Sequence, residues 1–403
     1  MANPAATAHA APPAWAIGLA GLLSLAAAMG VGRFAFTPVL PLMVQAGELD
    51  VAGGGWLAAA NYVGYLLGAL TAARTGWRAP RLAVVALLAT VVLTAAMAAP
   101  APVAAWAVLR FLAGVASAWA FVATGAWCLS ALAQRGATSW ASALYAGVGL
   151  GSTLAGLQSL VAGTAGWTPQ ALWLQLAGMA LVLAIPVFAV LRRLPQVAAS
   201  AAAAAQRHPM PAGTWGLASC YGLFGYGYIL PATFLPVLAR EVVPDPRLFG
   251  LAWPVFGVTA AVSALVAAAV LRRVSRVQVW ACSSFAMGVG TLLPALWRNG
   301  WTIGLSALLV GGTFMVVTLA GVQETRARVR GDPTPHLGRM TAAFAVGQIV
   351  GPIVSSLLLL ASPVHGLDVA LVTGALALFG SSVWLWRSPA SSLPSAQESL
   401  HVR

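Results

Sequence analysis

An all-α membrane protein of twelve spanning helices, in two pseudo-symmetric halves of six, is predicted from three observations. Long uncharged apolar runs recur along all 403 residues, the twenty-one basic residues alternate between gaps, and the first six runs echo the last six. Composition agrees, because 60% hydrophobic and 7% charged residues exclude a soluble domain of this length.

About 20 apolar residues cross about 30 Å of hydrocarbon as a helix. The runs lie at Ala14 to Val44, Gly54 to Ala73, Leu82 to Ala98, Val103 to Leu132, Ser139 to Gly163 and Pro169 to Leu191. The second set lies at Gly213 to Leu238, Leu248 to Leu271, Val277 to Trp297, Trp301 to Thr325, Leu337 to Ala361 and Leu367 to Trp386. The implied organisation is a disordered tail over 1–13, a six-helix half over 14–191, a linker over 192–212, a second half over 213–386 and a disordered tail over 387–403.

Every basic side chain is arginine. One set of gaps holds Arg74, Arg78, Arg81, Arg135, Arg192, Arg193, Arg207, Arg272, Arg273, Arg276, Arg326, Arg328, Arg330 and Arg339, with Arg387 and Arg403 in the tail. The alternate gaps hold only Arg240, Arg247 and Arg298, beside Glu48, Asp50, Glu241, Asp245 and Asp368. The positive-inside rule then places both termini and the linker in the cytoplasm of a bacterial inner membrane. The net charge of +13 follows from this bias and favours anionic lipid headgroups, not nucleic acid. The small residues of the first stretch precede the apolar run instead of following it, so the first run is expected to be retained and not cleaved as a signal peptide. Cys128, Cys220 and Cys282 fall in separate runs and read as small core residues, with no metal or disulfide spacing.

The halves echo each other twice. Gly30, Gly32, Leu40 and Pro41 recur as Gly225, Gly227, Leu235 and Pro236, at an offset of 195. Gly147 and Gly151 recur as Gly347 and Gly351, at an offset of 200. Parallel repeats of this kind put a substrate site near the midplane between the halves.

With these features the chain resembles the major facilitator superfamily of secondary transporters. Gly32-Arg33-Phe34, Thr37-Pro38, Asn61-Tyr62, Gly64-Tyr65, Gly225-Tyr226-Gly227-Tyr228, Thr233 with Pro236, and Gly347-Gln348 with Gly351-Pro352 make it similar to the YbfB/YjiJ-like branch. The resemblance implies alternating-access transport of a small molecule. Arg110 to Ala118 resembles the fourth-helix motif, whose arginine the superfamily associates with proton or substrate coupling. Arg74-Thr75-Gly76-Trp77-Arg78 resembles the basic loop that stabilises the outward-facing state, although Ala73 replaces its aspartate.

Charge inside hydrocarbon costs at least about 2.5–3.5 kcal/mol, so a deep ionisable residue marks a site or a buried pair. Arg33 and Arg110 are deep in their runs, in the same half of the membrane, and no run places an acidic residue at their depth. Either they meet an anionic group of the substrate, or they pair with backbone carbonyls at a broken first helix or snorkel to the interface. The remaining candidates for substrate binding or coupling are Thr37, Asn61, Tyr62, Tyr65, Tyr145, Tyr226, Tyr228, Thr233 and Gln348, with helix-to-helix hydrogen bonding as the alternative. Tyr221, Trp119, Trp127 and Trp253 are further ring-bearing candidates. Gly32, Pro38, Pro41, Gly227, Pro236, Gly347, Gly351 and Pro352 are hinge candidates, joined by Pro231, because proline removes a backbone donor and glycine admits close backbone approach.

Phosphate-binding loops, His/Cys clusters and paired deep carboxylates do not occur, so no cofactor, metal or enzymatic activity is expected. The leading expectation is a monomeric secondary transporter for a small organic anion, with a proton or counter-substrate. Efflux of amphipathic compounds is the alternative, and a non-transporting membrane sensor is the alternative of another class.

Overall fold

In the computed structural model, residues 11–137, 140–194, 214–243, 245–271, 273–329 and 334–388 are described. The first ten residues, nearly all of the linker expected at 192–212, and the chain beyond residue 388 fall outside them, with Arg207, Arg272, Arg330 and Arg403.

Twelve long helices run α1 Ala14–Gln45, α2 Val51–Ala72, α3 Ala79–Ala96, α4 Val103–Ala133, α5 Ala141–Ala165 and α6 Pro169–Arg193. They continue as α7 Thr214–Val242, α8 Ala252–Val270, α9 Arg276–Leu296, α10 Gly300–Arg328, α11 Thr334–Ala361 and α12 Gly366–Arg387. No strand occurs among the described residues. Ten are long and apolar enough to cross a membrane. Of the other two, α2 is diluted by glycines and by Asn61, Tyr62 and Tyr65, and α8 is uncharged over the 19 residues Ala252–Val270.

The first helix is irregular. Ala14–Leu25 is α-helical, Ala26–Phe34 is π-helical, and Phe36–Gln45 is α-helical again. Its wide middle is made largely of alanine and glycine, and Pro38 has no N–H for the carbonyl four residues back. Backbone oxygens in hydrocarbon need internal partners. Ser117 on α4 donates to the Ala28 carbonyl at 2.9 Å, and Arg110 donates to the carbonyls of Gly32 and Arg33 at 3.1 and 2.8 Å. The prolines of α7 and α11, by contrast, lie within continuous helices and do not break them.

Close helix contacts explain the glycines. A Cβ at Gly147 would stand 2.1 Å from the Leu22 oxygen, and one at Gly347 would stand 2.2 Å from the Gly222 oxygen. One at Gly151 would meet the Ala26 oxygen at 2.2 Å, and one at Gly351 would face the Tyr226 oxygen at 3.4 Å. The packing of α5 on α1 is therefore repeated by α11 on α7, with an offset of 200 on both partners. The offset of 195 between the α1 and α7 motifs is out of this register by five residues. Gly30 and Gly225 pack on the equivalent helices α5 and α11, but Gly32 packs on Thr90 and Ser117, whereas Gly227 packs on Leu378 and Gly374 of α12. Gly32, Gly227, Gly347 and Gly351 thus act in packing within their own halves.

The halves, α1–α6 and α7–α12, meet along α2 with α11 and α5 with α8, and along the second part of α1 with α7. Hydrogen bonds joining them gather at the arginine-poor end. Ser356 donates to the Ala52 oxygen at 2.9 Å, and Arg240 to the Pro41 oxygen at 2.9 Å. Thr37 donates to the Ala232 oxygen at 3.0 Å. That carbonyl lies four residues before Pro236, which has no N–H to offer it.

Candidate functional site

The two deep arginines have different surroundings. Both are 3% exposed, and neither forms a salt bridge among the described residues. Arg110 commits both terminal nitrogens to the α1 carbonyls and lies 4.9 Å from the Phe36 ring. Its own carbonyl accepts the Asn61 side-chain amide at 2.8 Å. Arg110 and Asn61 are thus a clasp between α1, α2 and α4, which is the carbonyl-paired alternative for Arg110.

Arg33 stands near the end of the π segment and faces the other half. Its Nη2 donates to Gln348 Oε1 on α11 at 2.7 Å, and Gln348 Nε2 donates to the Tyr228 hydroxyl on α7. The guanidinium lies 3.7 Å from the Tyr65 ring centre, 5.1 Å from Tyr62 and 5.3 Å from Phe34. Such cation–π contacts stabilise a desolvated charge by about 2 kcal/mol or more without supplying an anion. Tyr228 stacks on Phe314 at 4.8 Å and on Phe344 at 5.6 Å. Thr233 is buried beside Tyr62.

Exposure grades along this wall. Tyr62 and Gln348 are buried, whereas Tyr65 and Phe344, one turn nearer the arginine-rich end of α2 and α11, are half-buried. Burial thus falls off from Arg33 toward the arginine-rich end of α2 and α11. Tyr145 is half-buried and packs on Phe121.

Several sequence candidates lie elsewhere. Tyr226 turns into its own half, with its hydroxyl 2.7 Å from Thr373 on α12. Trp253 is buried, stacked on Phe256, and Trp127 is buried in α4. Trp119 donates to Thr71 and meets Trp77 edge-on near the α2–α3 turn. Tyr221 packs among Trp280, Phe224 and Phe344. Helix phase explains Tyr226, about 200° around α7 from Tyr228, whereas Tyr221, seven residues before Tyr228, shares its face and lies nearer the arginine-rich end beside Phe344. Pro38, Pro41 and Pro236 line a small crevice at the arginine-poor end, with Ser159 and Trp253. Pro352 offers its carbonyl to the contact of Gly55 with α11. Cys128 and Cys220 are buried, but Cys282 is exposed on the outer face of α9.

Gly76 adopts φ +66°, a left-handed conformation just past the end of α2. Arg74 and Arg78 are exposed there, and Arg81 lies 5.1 Å from the Trp77 ring. Sequence reasoning missed Phe344, Phe314 and Arg240. Phe344 was findable from its place one turn before Gln348, whereas Phe314 and Arg240 carry no sequence signal.

A family model described as "Uncharacterised MFS-type transporter YbfB" matches residues 25–385. The chain belongs to this transporter family. It is an integral membrane protein and a transporter, not an enzyme. Comparison with curated proteins gives no match. Among solved structures the transporter resembles the nucleoside transporter NupG, at 14% identity and TM-score 0.70, covering 93% of this chain and 100% of that one. A mutant form of NupG gives 14% identity, TM-score 0.72, and 92% and 98% coverage. A D-xylose-proton symporter gives 13%, 0.71, and 94% and 98%. At such identities the likeness establishes the shared fold alone.

Proposed function

We propose that this transporter moves a small organic anion across the bacterial inner membrane by alternating access, with Arg33 as the group that binds the anion. The arginine bias supports cytoplasmic termini, so the half-buried side of the Arg33 surroundings is the cytoplasmic one. The observation that carries the reading is a buried guanidinium between the two halves that bonds a neutral amide and, among the described residues, has no acidic partner. A carboxylate completes that site, because it brings the full negative charge that the buried guanidinium lacks and two oxygens that match its planar fork. Arg110 serves indirectly, holding the carbonyls of α1. A proton carried by the protein does not suit the site. Glu324, the buried acid, is bonded to Arg328 at the far end of α10. The rings of Tyr65, Phe344, Tyr228 and Phe314 favour a second reading, efflux of flat amphipathic compounds.

The test is uptake by proteoliposomes of labelled benzoate, lactate and succinate, with benzamide as neutral isostere. Arg33→Ala is expected to lower anion uptake about ten- to a hundredfold, the value of one hydrogen bond to a charged group. Benzamide moving equally well in wild type and Arg33→Ala, with no anion moved by either, refutes the anion reading and favours efflux.

A further inference from the structure

We infer that Gln348 is a built-in stand-in for the cargo carboxylate, which lets the carrier change sides unloaded. The inference rests on the anion reading of the same site. Gln348 Oε1 accepts from the Arg33 guanidinium, 2.7 Å from Nη2, where a carboxylate oxygen would have to sit. The oxygen, not the amide nitrogen, must face Arg33, because guanidinium has donors only. The opposite end of the amide is held by the Tyr228 hydroxyl, and Tyr65 covers a face of the guanidinium. Cargo therefore reaches that nitrogen by displacing Gln348.

A neutral amide is the right strength for this. Its oxygen carries only partial negative charge, so it bonds Arg33 Nη2 yet yields to a full carboxylate. Without it, a buried cation would be left unpaired in every unloaded transit, and unpaired buried charge is costly. A carrier so built loses its return step and only exchanges. With a glutamate in its place, the cation would be permanently neutralised and cargo excluded.

The experiment uses full-length wild type, Gln348→Leu, Gln348→Asn and Gln348→Glu in proteoliposomes, with the anion of the above panel that wild type takes up fastest. Net uptake into anion-free vesicles is compared with exchange against the same anion inside. In Gln348→Leu exchange persists with a lower KM, while the ratio of net uptake to exchange falls about ten- to a hundredfold. Gln348→Asn, too short to reach Arg33, behaves likewise and serves if the leucine variant fails to fold. Gln348→Glu loses both modes. Equal effects of leucine or asparagine on both modes, or exchange by Gln348→Glu with the wild-type KM, overturn the inference. Wild type moving none of the anions would instead refute the underlying anion reading.

Discussion

Gly147 and Gly347 are matched in steric terms and differ in what lies beside them, so one substitution at each separates packing from transport. An alanine methyl would sit 2.1 Å from the Leu22 oxygen in Gly147→Ala and 2.2 Å from the Gly222 oxygen in Gly347→Ala. Ordinary contact begins at 3.4 Å, so the helices must part by about 1 Å, and the obstacle is backbone, which does not rotate away. Overpacking of this kind costs about 1–3 kcal/mol. Both variants should therefore lose a few degrees in melting temperature in detergent, by similar amounts. Gly347 is adjacent to Gln348, whose bond to Arg33 is 2.7 Å; a shift of about 1 Å takes it beyond the range of a hydrogen bond. Gly347→Ala should thus lower the ratio of net uptake to exchange about tenfold or more, and Gly147→Ala should leave it unchanged. The same ratio in both variants, or undiminished stability in both, would refute the reasoning.

Two further outcomes follow from other contacts. Thr37→Val together with Arg240→Ala removes the bonds to the Ala232 and Pro41 carbonyls, which hold the halves together at the arginine-poor end. With Arg240 half-buried, their joint loss is about 1–2 kcal/mol. The population opened at that end should rise about tenfold, read as faster maleimide labelling of a Ser159→Cys reporter, and unchanged labelling would contradict it. At the α1–α2 turn, partial burial raises the Glu48 carboxyl above its ordinary 4.5, opposed by the bond from Gln170. A raised carboxyl favours folding when protonated, so wild-type stability relative to Glu48→Gln should fall as pH rises through the window just above 4.5. A melting-temperature difference that stays flat or rises with pH across that window would count against it.

The fold was legible because the bilayer imposes a length and a charge rule that leave plain marks on composition. Twelve runs and alternating arginines needed no side-chain geometry. The site was legible in part: rarity of deep charge singled out Arg33 and Arg110, and Gln348 and Tyr228 stood among the polar candidates. Which way each side chain turns was not legible. Tyr226 and Tyr228 are two residues apart on one helix, about 200° around it, so one binds Thr373 and the other joins Gln348. Helical phase relative to a partner half is set by packing across hundreds of residues, and no local pattern encodes it. The echo at 195 pointed to the duplication but not to its structural register, which is 200, since similar glycines recur wherever helices touch.

The difference between the arginines follows from the backbone of α1. A π segment close to Pro38 leaves oxygens pointing sideways, and α4 meets those of Ala28, Gly32 and Arg33 with Ser117 and Arg110. Arg110 is engaged in that task, and its grip on the Arg33 carbonyl also fixes the place of the second guanidinium. Asn61 ties the same clasp to α2, which carries Tyr62 and Tyr65 under Arg33. The cation and its aromatic support are therefore one rigid piece of the first half. From the second half the cation is met by a flexible, uncharged side chain, Gln348, so in the proposed cycle it is the partner of Arg33, not Arg33 itself, that moves aside when cargo arrives.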